Sequence, residues 1–265
     1  MTDTTAGTDR PVLSVLLPVR NEGINLRTML KLLAGVVEVP NEVLVVYDQP
    51  DDDSLPVLMS LAPMHPNLRP IHNTLGRGVV NAIRAGVSAS RGRYVLIFAA
   101  DEVGPVLAID DMLELMDRGC DFVSCTRYAH GGRRLGGSII GGLLSRLANR
   151  LFHRIAGSVL TDSTTGIKMF KREVFERLSL ESPPVGWVVV FEMAIKAELA
   201  GLKLGEVPIV SIDRLYGGRS TFRLGPWFVE YLRWFLWGLR RLRSRAPRGR
   251  TVLLPRATTS LREIP

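Results

Sequence analysis

Four side chains stand just past the ends of short apolar runs. Glu22 follows Val12–Leu17, Asp48 follows Val43–Tyr47, Asp101 follows Arg93–Phe98, and Arg127 follows Asp121–Cys125. Three acids and one cation at four consecutive strand ends point to a site rather than to loops that are merely polar. In an open parallel sheet, ligands bind beyond the carboxyl ends of the strands. Rival sites carry less. Gly76-Arg77-Gly78 has Asn81 where a dinucleotide loop needs its third glycine, and a plain helix start is the better reading. His65, His72, His130 and His153 lack metal spacing, and no Gly-x-Ser-x-Gly elbow is present. The run Asp51–Asp53 suits a cation or a solvated turn equally well.

The elements that must position these residues alternate. The runs named above predict four buried strands. Helical spacing covers Ile24–Leu33, Leu55–Leu61, Gly78–Ala89 and Ile109–Asp117. This alternation predicts an α/β domain with a mostly parallel central sheet and helices on both faces. Further on, Ile139–Ile155 predicts a long helix with Arg146, Arg150 and Arg154 on one face. Asp162–Phe170 predicts a turn entering a strand, Val190–Ala200 a helix, Val207–Ile212 a strand, and Trp227–Arg243 an amphipathic helix. From Ala246 onward Pro, Gly, Arg and Thr predict a mobile end. The expected division is a disordered 1–10, one domain over 11–224, the amphipathic helix at 225–245 and a basic tail at 246–265.

The 265 residues include only two cysteines, Cys120 and Cys125, expected as buried free thiols. No ~18-residue apolar window predicts a spanning helix. Met1–Asp9 lacks signal-peptide zoning, so a cytoplasmic location is expected. Residues 223–265 carry ten Arg against two Glu, an excess equal to the net +8 of the whole chain. Three of the four Trp also lie there. The basic tail permits nucleic-acid binding, but no stacking strand or zinc motif supports it.

Leu17-Pro18-Val19-Arg20-Asn21-Glu22, Val45-Val46-Tyr47-Asp48, Gly76-Arg77-Gly78, Ala100-Asp101, Thr126-Arg127-Tyr128 and Thr164-Thr165-Gly166-Ile167-Lys168 occur in that order. The ordered set resembles family-2 glycosyltransferases, most of all the dolichyl- or polyprenyl-phosphate mannosyltransferase branch. The resemblance spans residues 12 to 224. It implies a single Rossmann-like domain of the GT-A type and inverting transfer of a sugar from a nucleotide-sugar, such as GDP-mannose or a UDP-hexose, to a polyprenyl phosphate. It implies that Pro18, Asn21 and Glu22 line the nucleoside pocket, with Glu22 toward the ribose. Asp48 would meet the base, and Gly78, Arg219 and Ser220 would complete the donor site. Asp101 would hold a Mg or Mn ion with Glu102 in reserve. Arg127 and Lys168 would lie near phosphate, and Asp162 would act as a base or orient Arg127 or Lys168.

This chain departs from the family pattern. Ala99 replaces the first Asp of the metal motif, Val103 a further polar position, Tyr47 the first Asp of Asp-Asp, and Thr221 the final Lys of Gly-x-Ser-Lys. Arg127, Lys168, Arg219 and Arg223 are the cations available to a diphosphate. Three readings follow. One is an active transferase, peripheral on the inner face of a membrane and bound there through its C-terminal helix. The second is a non-catalytic nucleotide-sugar-binding relative, and the third is a nucleotidyltransferase. A homo-oligomer is left open.

Overall fold

The computed structural model describes residues 10–136, 139–184, 186–212, 224–244 and 251–256. In chain order the elements are β1 (Leu13–Pro18), α1 (Gly23–Val36), β2 (Asn41–Tyr47), α2 (Ser54–Leu61), β3 (Leu68–His72), α3 (Val79–Ala89), β4 (Tyr94–Ile97), α4 (Ile109–Asp117) and β5 (Phe122–Thr126). They continue with β6 (Arg133–Leu135), α5 (Ile139–Leu151), β7 (Lys168–Lys171), α6 (Val188–Leu199), β8 (Leu204–Pro208), β9 (Val210–Ile212) and α7 (Leu224–Ser244). A π-helical turn, Phe152–Ala156, extends α5.

Seven strands form one sheet in the order β3-β2-β1-β4-β7-β5-β8. All run parallel except β7, which pairs antiparallel with both β4 and β5. Strands such as Leu-Ser-Val-Leu-Leu-Pro are apolar on both faces because helices cover both. One core packs Leu26, Met29, Leu58, Ile109 and Met112 of α1, α2 and α4 against the sheet. The other packs Val80, Ile83, Val190 and Met193 of α3 and α6 against its opposite face. Gly86 lets α3 lie close: a Cβ there would stand 2.1 Å from Leu16 Cδ1.

Three elements differ from the sequence expectations. β3 carries Pro70 and gave no clear strand signal; it lies at the sheet edge, where a missing N–H is tolerated. The single strand expected at Val207–Ile212 is two. Pro208 ends the pairing of β8 with β5, and β9 pairs with β6 in a separate two-stranded sheet. The mobile end expected from Ala246 does not extend to residues 251–256. Leu253 N donates to Leu204 O and Leu253 O accepts from Glu206 N, both at 2.9 Å, which covers the free edge of β8.

The C-terminal helix also differs. It was expected as the membrane contact, but part of its apolar surface packs on the domain: Trp234 and Leu242 are buried, and Tyr231, Phe235 and Leu239 pack beside them on Phe152, Phe191 and Ile195. The reason lies in α6. Its residues Val188 to Glu198 are all buried, and its apolar Val188, Phe191 and Ile195 need cover on the face away from the sheet. α7 supplies that cover and leaves Phe228, Val229, Leu232 and Leu236 exposed.

Candidate active site

Because β1, β2, β4 and β5 are parallel, Glu22, Asp48, Asp101 and Arg127 all follow strands at the same, carboxyl edge of the sheet. A groove of about 1150 Å³ lies at the opposite edge, lined by Arg10, Arg91, Arg93 and Arg172 among others, and none of the four borders it.

The loop after β1 is clasped to the loop after β2. Asn21 adopts a left-handed conformation at φ 55, and its N–H donates to both oxygens of Asp52 at 3.1 and 3.2 Å. Glu22 N donates to Ser54 Oγ and Gly23 N to Asp53 Oδ1. The Asp51–Asp53 run therefore serves the backbone at the amino end of α1, where orphan N–H groups need acceptors. Glu22 is half-buried, and its carboxylate accepts from Asn25 Nδ2 at 2.7 Å.

Asp48 accepts from Asn73 Nδ2 at 2.6 Å and from Gly78 N at 3.2 Å. It thus ties the end of β2 to the loop that opens α3. Gly78 caps that helix at φ 125, and a Cβ on it would stand 2.6 Å from Cβ of Pro184. Only glycine satisfies both demands. Gly76-Arg77-Gly78 is a helix start, with Arg77 exposed.

Asp101 lies four residues past the end of β4 and is half-buried. Glu102 turns toward the small sheet, where its carboxylate accepts from Ser211 Oγ of β9 at 2.9 Å. Among the described residues, no group of three or more His, Cys, Asp or Glu side chains could hold a metal. The donor set is therefore thin: Asp101 offers one carboxylate, and Glu102 is engaged by Ser211.

Arg127 and Asp162 form a two-pronged ion pair, Nε to Oδ2 at 2.7 Å and Nη2 to Oδ1 at 3.0 Å. Asp162 also accepts from Arg127 N, Thr164 N and Thr164 Oγ1. Burial pushes its carboxyl up, but the Arg127 guanidinium, Lys168 and these hydrogen bonds outweigh it and hold the group below its ordinary value. A carboxylate engaged by five donors is well placed to hold its partners and poorly placed to accept a proton. The pairing in turn holds the Arg127 guanidinium above its usual value despite burial.

Lys168 was expected near phosphate; the structure shows where its side chain is held. It is fully buried, and Nζ donates to Ser124 Oγ at 2.6 Å and to Ser163 O at 3.4 Å. It props the Asp162–Thr164 turn from beneath because β7 runs antiparallel and starts under that turn. Burial outweighs Asp162, Cys125 and Glu206 and pushes the ammonium down to about 8. Between that pH and the unfolded value of 10.5, the unfolded chain holds a proton that the folded chain has released, so stability rises with pH. Lys168→Met is expected to remove this rise. In urea unfolding, the variant's stability relative to wild type should fall between about pH 7 and about pH 10; a constant difference would refute the burial penalty.

Three contributors had no role assigned from sequence: Glu206, Asn149 and Thr164, the last named only within a motif. Glu206 is buried on β8 and accepts from Thr161 N, Thr161 Oγ1 and Asp162 N, which fixes the turn from the other side. Its signal was a lone carboxylate in an apolar strand, a placement that demands partners. Asn149 similarly interrupts the leucines of α5. Arg219, Ser220, Thr221 and Arg223 lie outside the described residues.

The sequence profile of the family described as Glycosyl transferase family 2 matches residues 14–179. A dolichol-phosphate mannosyltransferase of Pyrococcus furiosus is 26% identical over 223 residues, 83% of this chain and 61% of that protein. A polyprenol monophosphomannose synthase of Mycolicibacterium smegmatis is 28% identical over 240 residues, 82% of this chain and 86% of that one. The chain thus spans about three fifths of the Pyrococcus protein and most of the mycobacterial one. Among solved structures, the glucosyl-3-phosphoglycerate synthase of Mycobacterium tuberculosis with Mn²⁺, UDP and glucosyl-3-phosphoglycerate superposes with a TM-score of 0.66 at 18% identity. The match covers 87% of this chain and 80% of that one, and the likeness is one of fold.

Proposed function

The chain belongs to glycosyl transferase family 2 and is a glycosyltransferase, and from that premise we propose that it moves a hexose from a nucleoside diphosphate to a polyprenyl phosphate at the cytosolic face of a membrane. An oxygen of the lipid phosphate bonds to the anomeric carbon from the side opposite the diphosphate. The carbon–oxygen bond to the diphosphate breaks, its electrons leave with the nucleoside diphosphate, and configuration inverts. The observation that carries this reading is the state of Asp162. It is engaged by the Arg127 guanidinium and N–H and by Thr164, so it is a poor proton acceptor. A sugar hydroxyl would need a base. A phosphate monoester, with a second pKa near ~6, is already anionic and needs none.

The donor's place is the carboxyl edge, with Pro18, Asn21 and Glu22 toward the nucleoside and the Asp48-held loop around Gly78 as its wall. A divalent ion fits this site in one form. Mg²⁺ keeps waters and takes one or two carboxylates plus substrate phosphates, and Asp101 supplies one. Such an ion would neutralise the departing diphosphate. The M. tuberculosis neighbour was crystallised with Mn²⁺ and with Mg²⁺.

The acceptor's lipid is supported by two surfaces. On α5 and its π turn, Leu143, Leu147, Leu151 and Ile155 recur every four residues and are exposed, beside exposed Arg146, Arg150 and Arg154. On α7, exposed Phe228, Val229, Leu232 and Leu236 accompany Arg233, Arg240, Arg241 and Arg243. Among the described residues no helix is long and apolar enough to cross a membrane. Helices of this composition lie in the headgroup plane, where each basic residue near anionic lipid contributes about 1 kcal/mol.

The test incubates the protein with radiolabelled GDP-mannose or UDP-glucose and polyprenyl phosphate in anionic vesicles, with and without Mg²⁺. Label entering the organic phase is the expected result. Donor binding without transfer would select the non-catalytic relative, and no donor binding would overturn both. Removing α7 would uncover α6, so membrane contact is tested by Phe228→Asp with Leu232→Asp. Vesicle co-sedimentation should drop sharply while the fold persists.

A further inference from the structure

Helix α5 has a second face. Opposite its exposed leucines, Asn149 is 3% exposed and every polar atom of its carboxamide is engaged. Nδ2 donates to Ser145 O at 3.0 Å and to Thr164 Oγ1 at 2.8 Å, and Oδ1 accepts from Ser163 N at 3.0 Å. The Thr164 hydroxyl is the junction. It accepts from Asn149 and from Arg127 Nη2 at 3.1 Å and donates to Asp162 Oδ1 at 3.1 Å, which uses its one proton and both lone pairs. One turn earlier, Ser145 Oγ accepts from Tyr128 OH at 2.9 Å, and the Arg127 guanidinium lies over the Tyr128 ring. The helix that carries the apolar and arginine stripe is therefore hydrogen-bonded to the neighbours of both members of the Arg127–Asp162 pair: Tyr128 on one side, Ser163 and Thr164 on the other.

We propose that Asn149 is a positioning residue, locking the Asp162–Thr164 turn and the Arg127 guanidinium to α5 so that a lipid phosphate held at the outer face of this helix meets a fixed reaction geometry. This rests on the transfer to a lipid phosphate proposed above. Buried, fully satisfied polar networks hold one arrangement because any slip leaves a group unpaired. The two faces of α5 then act on different kinetic constants: the outer face sets acceptor capture, and the inner face sets the rate once the acceptor is bound.

The experiment compares Asn149→Ala, Asn149→Asp and Leu147→Asp in the full chain, with labelled donor and polyprenyl phosphate in vesicles. Hydrogen exchange is followed at the Ser163 and Thr164 amides. Asn149→Asp keeps the volume and the acceptor for Ser163 but loses the donor to Thr164. Both Asn149 variants are expected to lower kcat about tenfold or more, the scale of a small misplacement of reacting groups, with acceptor KM little changed. Leu147→Asp should raise acceptor KM and leave kcat nearly intact. Exchange at Ser163 should quicken in Asn149→Ala. An Asn149→Asp variant with wild-type kcat would show that the hydrogen bond donated to Thr164 does not position the site and would overturn the proposal. So would unchanged exchange in Asn149→Ala, and this holds even where the wild-type protein transfers no sugar, an outcome that by itself sinks only the reading of function. If Asn149→Ala fails to fold, Asn149→Asp alone decides through its kcat.

Discussion

Asp162→Asn is expected to destabilise the fold by about 3–5 kcal/mol and to abolish measurable sugar transfer. The variant leaves the Arg127 guanidinium charged, mostly buried and facing an amide that can offer it one acceptor in place of two. The lost attraction is large because the pair sits away from water, and an uncompensated buried charge costs more than the pair contributes. The pH dependence carries the same signature. Asp162 is held below its ordinary value in the folded chain, so its contribution to stability is complete above the unfolded pKa. That contribution fades as pH falls from about 4 through the lower folded value. Urea unfolding should show this acid loss in wild type and a flatter limb in Asp162→Asn. Replacing both partners, Arg127→Met with Asp162→Asn, is expected to recover much of the stability and none of the activity. Equal stability of wild type and Asp162→Asn would mean that the ion pair does not bear on the fold.

Asp101→Asn is expected to lower transfer about a hundredfold or more at saturating Mg²⁺, the scale seen when one stabiliser of developing charge is removed. Asp101 sits half-buried beyond β4, at the edge where the diphosphate is proposed to depart. The reciprocal substitution is Ala99→Asp. It places a second carboxylate two residues earlier on the same loop and should lower the Mg²⁺ concentration for half-maximal activity about tenfold, since affinity follows the number of charged ligands. Metal titrations of the three proteins separate the cases. An Asp101→Asn variant as active as wild type would move charge stabilisation from the ion to arginines.

The polar strand ends show how far pattern reading reaches. Glu22, Asp48, Asp101 and Arg127 were legible as one edge because buried strands announce themselves by apolar runs and parallel strands share a direction. What each carboxylate touches was not legible. Asp48 holds the Gly78 loop, and Asp52 and Asp53 hold the backbone of Asn21 and Gly23, since residues 30 or 31 positions apart meet only once the strands are paired. Lys168 carries the same lesson. Its motif placed it near phosphate, but the antiparallel entry of β7 turns its side chain under the turn that the motif forms.

The amino-acid order alone determined the family, the three-layer α/β architecture and the sheet edge that gathers the polar strand ends, because these follow from the spacing of apolar residues and from short ordered motifs. The tertiary structure alone decided that α7 covers α6 before it meets anything else, that residues 251–256 close the β8 edge, and that Asn149 and Glu206 grip the Asp162 turn. The physical reason is that burial is a property of the assembled layers. A polar group's partners are set by where the packed elements leave it, and one-dimensional spacing carries no measure of that distance.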